Sequence, residues 1–441
     1  MKQTLKLCCL TIGLATWAGV VCAQPAVLQR SMNDLFAMAD EHNTSINSCK
    51  TAIERAQADI DAAKAQRLPD VGASLSFSYL GDGQIWDRDF TNYIRAAIPH
   101  WGNCLSVEAS QVVYSGGALT SGIKLAELGK EMEEINSEAN RKRVHMLIAA
   151  LYLRRMSLAN RLEVVHSNIA LADTLISKTH NRHEEGVVLR NDITRYELMR
   201  EQMQLQGTVV EDQIKVVDKQ LATAVGTEVN TGNVSGGGTL ALGTLQHQND
   251  EAYWQNLALT ESSDLRKTVT SIEMSRQQEK MTRSASLPKV AVVAQDHLNG
   301  PITIDIPAID KNFNYWFVGV GVSYDVSSLW KNKRKVVSAS TATRHAEEQR
   351  MVAKENISDA VHEAYIAMQT AQSELRTRQK SKELAQQNYE VIANRYDNGL
   401  AMVTDMTDAA NVRLDAELQY ADAEIGVLLA LYKLKYVCGY I

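Results

Sequence analysis

Proline is scarce in this chain, six in 441 residues, and none interrupts either of two runs of about 65 residues that carry helical periodicity. Long apolar runs are missing as well. Beyond the first 23 residues no window approaches about 18 uninterrupted apolar side chains, which excludes a membrane-spanning helix. Basic excess is absent: 46 Lys and Arg stand against 52 Asp and Glu, a net charge of −6. A basic stripe for nucleic acid is therefore not on offer. Of six cysteines, Cys8, Cys9 and Cys22 fall in the leader. Cys49, Cys104 and Cys438 are odd in number and far apart, so they read as small apolar fillers rather than a disulfide framework. The motifs of common enzymes are also wanting. There is no Gly-x-Ser-x-Gly elbow and no phosphate-cradling glycine loop, and His362-Glu363 lacks a second histidine because Ile366 stands in its place. His180 and His183 with Glu184 have helical ligand spacing, but one such pair is too thin for a metal site. No catalytic residue, metal or cofactor is expected.

What is present begins with an export signal. Lys2 and Lys6 precede an apolar run from Leu7 to Val21, and Val21-Cys22-Ala23 offers a cleavage site before Gln24. Residues 1–23 thus read as a signal peptide, and Val21 is a poor neighbour for a lipidated Cys22. An exported chain without a spanning helix is either soluble in the periplasm or a β-barrel in the outer membrane.

The remainder repeats itself. Leu68-Pro69-Asp70-Val71 recurs as Leu287-Pro288-Lys289-Val290, 219 residues later, and Arg182-x-x-x-Gly186 recurs as Arg395-x-x-x-Gly399, 213 residues later. Each half reads helix, strand, loop, strand, very long helix, turn, helix. The repeats are placed at 24–226 and 263–441, with a glycine-rich linker region at 227–262. Helices are expected from Thr44 to Leu68, with Thr44 as cap, and from a Ser263 or Asp264 cap to Leu287. The first long helix carries Leu128, Met132, Ile135 and Ala139 at coiled-coil steps and, at 1.5 Å per residue, is roughly 100 Å long. A return helix covers Asn191 to Val225. The second pair covers Leu329 to Arg395 and Val403 to Val437.

Four strands alternate. In Val71–Tyr79 every second residue is apolar, and Gly72, Ser74, Ser76 and Ser78 face the other way. The second strand, about 105–114, sets Leu105, Val107, Ala109 and Val113 against Ser106, Glu108 and Ser110. Glu108 would be costly in lipid, so its face is assigned to a lumen. The third strand is read at 289–295 and the fourth at about 315–325, and on the fourth Trp316, Val318, Val320, Val322 and Tyr324 share one apolar face. Tyr79, Trp316 and Tyr324 stand where membrane interfaces favour aromatics. Residues 80–104 read as an exposed loop. Four strands cannot close in lipid, where each unsatisfied backbone group costs several kcal/mol, so copies must join. Small inner side chains favour twelve strands from three copies over a filled barrel of eight.

With these residues in view, the chain resembles the outer-membrane efflux protein family typified by TolC. The resemblance rests on the helix ending Leu68-Pro69, on Gln111-Val112-Val113-Tyr114-Ser115-Gly116-Gly117, and on the tip motifs at 182–192 and 395–405. It departs at Asn43-Thr44, where family members often carry Asn-Pro. It implies a homotrimer with a twelve-stranded outer-membrane β-barrel continued by an α-helical periplasmic tunnel. It also implies passive export through a periplasmic adaptor (a membrane fusion protein), driven by an inner-membrane pump of RND, ABC or MFS type, as in tripartite efflux or type I secretion. Apolar residues at the two exposed turns then read as adaptor-docking tips: Gly186, Val187, Val188 and Leu189, and Gly399, Leu400, Ala401 and Met402. Asp192, Asp405 and Asp408 read as an acidic aperture, or as carboxylates answering a helix dipole. Arg182 and Arg395 read as tip latches through ion pairs, or as solvated charges. The competing reading is a periplasmic coiled-coil adaptor or scaffold, which shares the long helices but has no need of the alternating strands.

Overall fold

The computed structural model describes residues 31–228 and 250–441; the signal peptide and much of the glycine-rich linker lie outside the described residues. Two repeats are threaded through one sheet. The first runs α1 (Met32–His42), α2 (Thr44–Ala65), β1 (Asp70–Tyr79), β2 (Gly83–Trp86), β3 (Tyr93–Ala96), β4 (Trp101–Tyr114), α3 (Ala118–Glu184) and α4 (Arg190–Val225). The second runs α5 (Glu251–Glu261), α6 (Ser263–Ser284), β5 (Lys289–Gly300), β6 (Phe313–Ser323), α7 (Ser328–Asp397) and α8 (Val403–Val437).

Several boundaries differ from the sequence reading, each for a local reason. Asn43, not Thr44, caps α2: its Oδ1 accepts from the Ser45 and Ile46 amides, and its Nδ2 donates to the Ala224 carbonyl at 2.6 Å. Ser262 caps α6 in the equivalent place, ahead of Ser263 and Asp264. Residues 251–261, read as linker, form α5, which matches α1 in length at 11 residues. The stretch 80–104, read as loop, contains the β2–β3 hairpin. β5 continues past Gln295 to Gly300 because its partners on β4 and β6 extend equally far.

The main sheet is antiparallel in the order β1-β4-β5-β6. Its register assembles the two faces that alternation suggested strand by strand. One row aligns Val71, Ala109, Ala294 and Val318; the next aligns Gly72, Glu108, Gln295 and Phe317. A bulge on β4 puts Tyr114, not Val113, opposite Val290, so a tyrosine joins the apolar face at its helix-proximal end. The extension of β5 places Asp296 on that apolar face between Val107 and Trp316, where it accepts a hydrogen bond from Asn314 Nδ2 at 2.8 Å.

Both repeats pack their short helices in the same way. Leu35, Ala39, Ile148, Leu221 and Val225 form one core, and Trp254, Ala258, Val361, Leu434 and Cys438 form the other. These are the same five positions one repeat apart. Trp254 is larger than Leu35, while Val361 and Cys438 are smaller than Ile148 and Val225, so the second core keeps its volume by exchanging where the bulk sits. Burial pushes the Cys438 thiol up to about 11, as befits a packing residue. Beyond the cores, α3 pairs with α4 and α7 with α8, while α3 also packs against α8 and joins the two coiled coils. That seam holds Asn168, 1 % exposed, between the Glu417 carboxylate and the Arg413 guanidinium.

Candidate channel and docking tips

Each tip is a helix ended by a left-handed glycine. Gly186 has φ 77° and Gly399 has φ 70°. At the first, the Val187 amide donates to the Arg182 carbonyl and the Gly186 amide to the His183 carbonyl, both at 2.9 Å. At the second, Leu400 donates to Arg395 at 2.8 Å and Gly399 to Tyr396 at 3.0 Å. This paired pattern satisfies the orphaned carbonyls of a helix C-terminus and turns the chain within a few residues. The return helix then starts on a carboxylate: Asp192 accepts from the Leu189 amide at 3.2 Å, and Asp405 accepts from the Met402 amide at 3.0 Å. Both aspartates therefore serve as helix caps in the single chain. Asp408 lies one turn further on and is exposed.

The turns leave Val187, Leu189, Leu400 and Met402 exposed, while Val188 and Ala401 are half-buried. Between the tips lies a cleft of about 350 Å³ lined by residues of both, among them Arg182, Val188, Asp192, Tyr396, Gly399 and Met402. The fold thus brings residues separated by more than two hundred positions into one surface. Arg395, Asp405 and Asp408 do not line it.

The arginine latches take a different form from the ion pairs suggested by sequence. Arg182 reaches across to the other repeat: its Nη1 donates to the Tyr396 carbonyl at 3.1 Å, and its guanidinium lies 5.1 Å from the centre of the Tyr396 ring. Arg395 stays on its own tip and donates to the Leu400 carbonyl at 3.3 Å. A carbonyl replaces a carboxylate in both cases because the helix end itself supplies the acceptor. Tyr396 and Tyr196, both buried in the core behind the tips, were not singled out by sequence. Nothing in a lone tyrosine distinguishes it from any other, and burial pushes the Tyr196 phenol up. The two tip histidines diverge: His180 pairs with Glu184 at 3.4 Å, whereas His183 Nδ1 sits 2.8 Å from the Val188 carbonyl. Among the described residues no group of three His, Cys, Asp or Glu is placed to hold a metal ion.

At the far end, Glu108 shares its face with Ser106, whose hydroxyl is 2.8 Å from that of Ser74. Tyr79 packs edge-on against Trp101 at 5.7 Å on the apolar face, and Trp316 is exposed on that same face. Tyr324 follows the last residue of β6 at the opposite end. No helix among the described residues is long and apolar enough to cross a membrane.

Residues 254–439 match the family described as outer membrane efflux protein. No curated protein matches the chain. Solved structures match nearly all of it. The outer membrane protein VceC from Vibrio cholerae is 16 % identical, with a TM-score of 0.73 over 92 % of this chain and 96 % of VceC. The outer-membrane channel OprN is 15 % identical, with a TM-score of 0.76 over 93 % and 90 %. The CmeC outer membrane channel of Campylobacter jejuni is 14 % identical, with a TM-score of 0.72 over 93 % and 85 %. At such identities these likenesses speak for the fold. The second repeat thus matches the outer membrane efflux protein family in sequence, and the whole chain has the TolC-like fold of these outer membrane channels, long helices with four antiparallel strands.

Proposed function

We propose that three copies close one twelve-stranded barrel and one helical tunnel, and that this duct receives cargo from a periplasmic adaptor docked at its tips. The adaptor links it to an inner-membrane pump of the RND, ABC or MFS class, and the duct does no covalent chemistry of its own. The observation that carries the reading is the four-stranded sheet with unpaired edges at β1 and β6, continued on one side by helices of 67 and 70 residues. At 1.5 Å per residue those helices reach about 100 Å from the sheet. The apolar band with Tyr79, Trp316 and Tyr324 would face lipid, and Glu108 with its serines would face the wet lumen.

Docking is assigned to Gly186, Val187, Val188, Leu189, Gly399, Leu400, Ala401 and Met402 because apolar side chains held out on well-bonded turns are costly unless something covers them. Photo-crosslinking in cells from Val187 and Leu400 tests this. Capture of an adaptor is the expected result, and capture of neighbouring protomers alone would overturn tip docking. The aperture ring of Asp192, Asp405 and Asp408 has its own test in planar bilayers. Asp408 makes no cap and is the cleaner probe. Asp408→Ala and Asp405→Ala should each lower cation selectivity, and unchanged selectivity in both would leave the carboxylates as helix caps only.

A further inference from the structure

At the end of the strands remote from the helices, two connections display apolar side chains that the rest of the described residues leave uncovered. The β1–β4 connection carries the β2–β3 hairpin, with Ile94 69 % and Phe90 80 % exposed. The β5–β6 connection, residues 301–312, carries Ile304 at 91 % and Ile306 at 64 %. Neither is slack chain. The hairpin sets Ile85 opposite Ile94, holds the Trp86 and Tyr93 rings in tilted contact with centres 5.2 Å apart, and is tied at its base by Arg95 Nε donating to Asp82 at 2.8 Å. The other connection is closed by two backbone hydrogen bonds between Ile302 and Ile309, at 3.0 and 2.9 Å. Their bonding holds these side chains outward, where the burial that would stabilise them is forgone.

The sheet order names what covers them. β1 and β6 are its two edges, and strand directions alternate, so β6 of one copy meets β1 of the next antiparallel when three sheets close. The hairpin leaves from the outer end of β1, and the 301–312 connection enters the outer end of β6. We propose that each hairpin packs, through Ile94 and Phe90, on Ile304 and Ile306 of the neighbouring copy, forming a three-fold apolar collar at the outer mouth of the duct. The proposal rests on the trimeric barrel described above. The collar staples each seam between copies just where the strand hydrogen bonds run out, and narrows the exit with side chains rather than backbone.

The test joins Ile94→Cys with Ile304→Cys in a trimer whose Cys49 and Cys104 are serine, treated with a short bis-maleimide. Covalent two-chain and three-chain species on a denaturing gel are expected from the double variant and from neither single variant. Several results would overturn the collar in an intact trimer. The crosslink could form within one chain, consuming both thiols at one-chain mass. Both thiols could stay unlinked, placing the loops in lipid or water. Ile94→Cys alone could link, placing hairpin against hairpin. A preparation that is not trimeric by native mass would instead overturn the assembly on which the collar rests, and the collar with it.

Discussion

Glycines of like conformation do unlike work in this molecule. Gly186 and Gly399 have positive φ in open space, with nothing within 4 Å of an added Cβ. Gly226 and Gly439 have φ 87° and 75°, but there a Cβ would lie 2.4 Å from the His42 carbonyl oxygen and 2.7 Å from that of Glu261. These are again one position seen twice, each return helix ending against the last turn of a short helix. Gly186→Ala should cost only the left-handed strain, about 1–2 kcal/mol. Gly226→Ala should cost more than about 3 kcal/mol, because backbone must also move. Thermal unfolding of the detergent-solubilised trimer measures both, and equal losses would refute the distinction. The Arg-x-x-x-Gly repeat announced the tip glycines. Nothing marked Gly226 and Gly439, since their constraint comes from helices distant in sequence.

Elements were legible where one periodicity ran unbroken. β1 and β6 alternate cleanly, and α3 and α7 keep coiled-coil steps without proline, so their bounds fall within a few residues of the reading. The β2 and β3 strands have four residues each, too few for alternation to register, and β5 reads short because Asp296 interrupts its apolar face. α1 and α5 are short, and their cores draw on residues of the long helices far along the chain. Helix α6 is tied to α3 by charge. Burial alone would raise the Glu138 carboxyl, but hydrogen bonds from Lys142 and Arg266 outweigh it and hold the group below its usual 4.5. A lowered folded value means stability that is present above the unfolded value and lost as pH falls through the folded one. Glu138→Gln should therefore cost about 1 kcal/mol at neutral pH and flatten the fall in unfolding temperature as the pH drops below the usual carboxylate range. Parallel curves for the variant and the parent would remove Glu138 from the acid response.

For the whole molecule the consequential asymmetry is between two arginines that the sequence presents as equals. Both end a long helix four residues before its glycine, and the duplication gives no reason to rank them. The fold does, because position 183 is His183 in the first repeat and its counterpart in the second is Tyr396, whose ring and carbonyl Arg182 engages. Arg182 thus ties one coiled coil to the other at the tip, while Arg395 only finishes its own turn. If the duct widens by spreading its coiled coils, the Arg182 bond must break and the Arg395 bond need not. A hydrogen bond from a charged donor is worth about 1.5–3 kcal/mol, enough to shift a closed-to-open equilibrium by roughly tenfold or more. Arg182→Ala should raise single-channel conductance or its open fraction in planar bilayers, and Arg395→Ala should stay near the parent. Tyr396→Phe should also stay near the parent, because it keeps both the carbonyl and the ring face. Equal conductance in Arg182→Ala and Arg395→Ala would show that this cross-tie does not hold the tips together, leaving contacts between copies as what restrains the tunnel end.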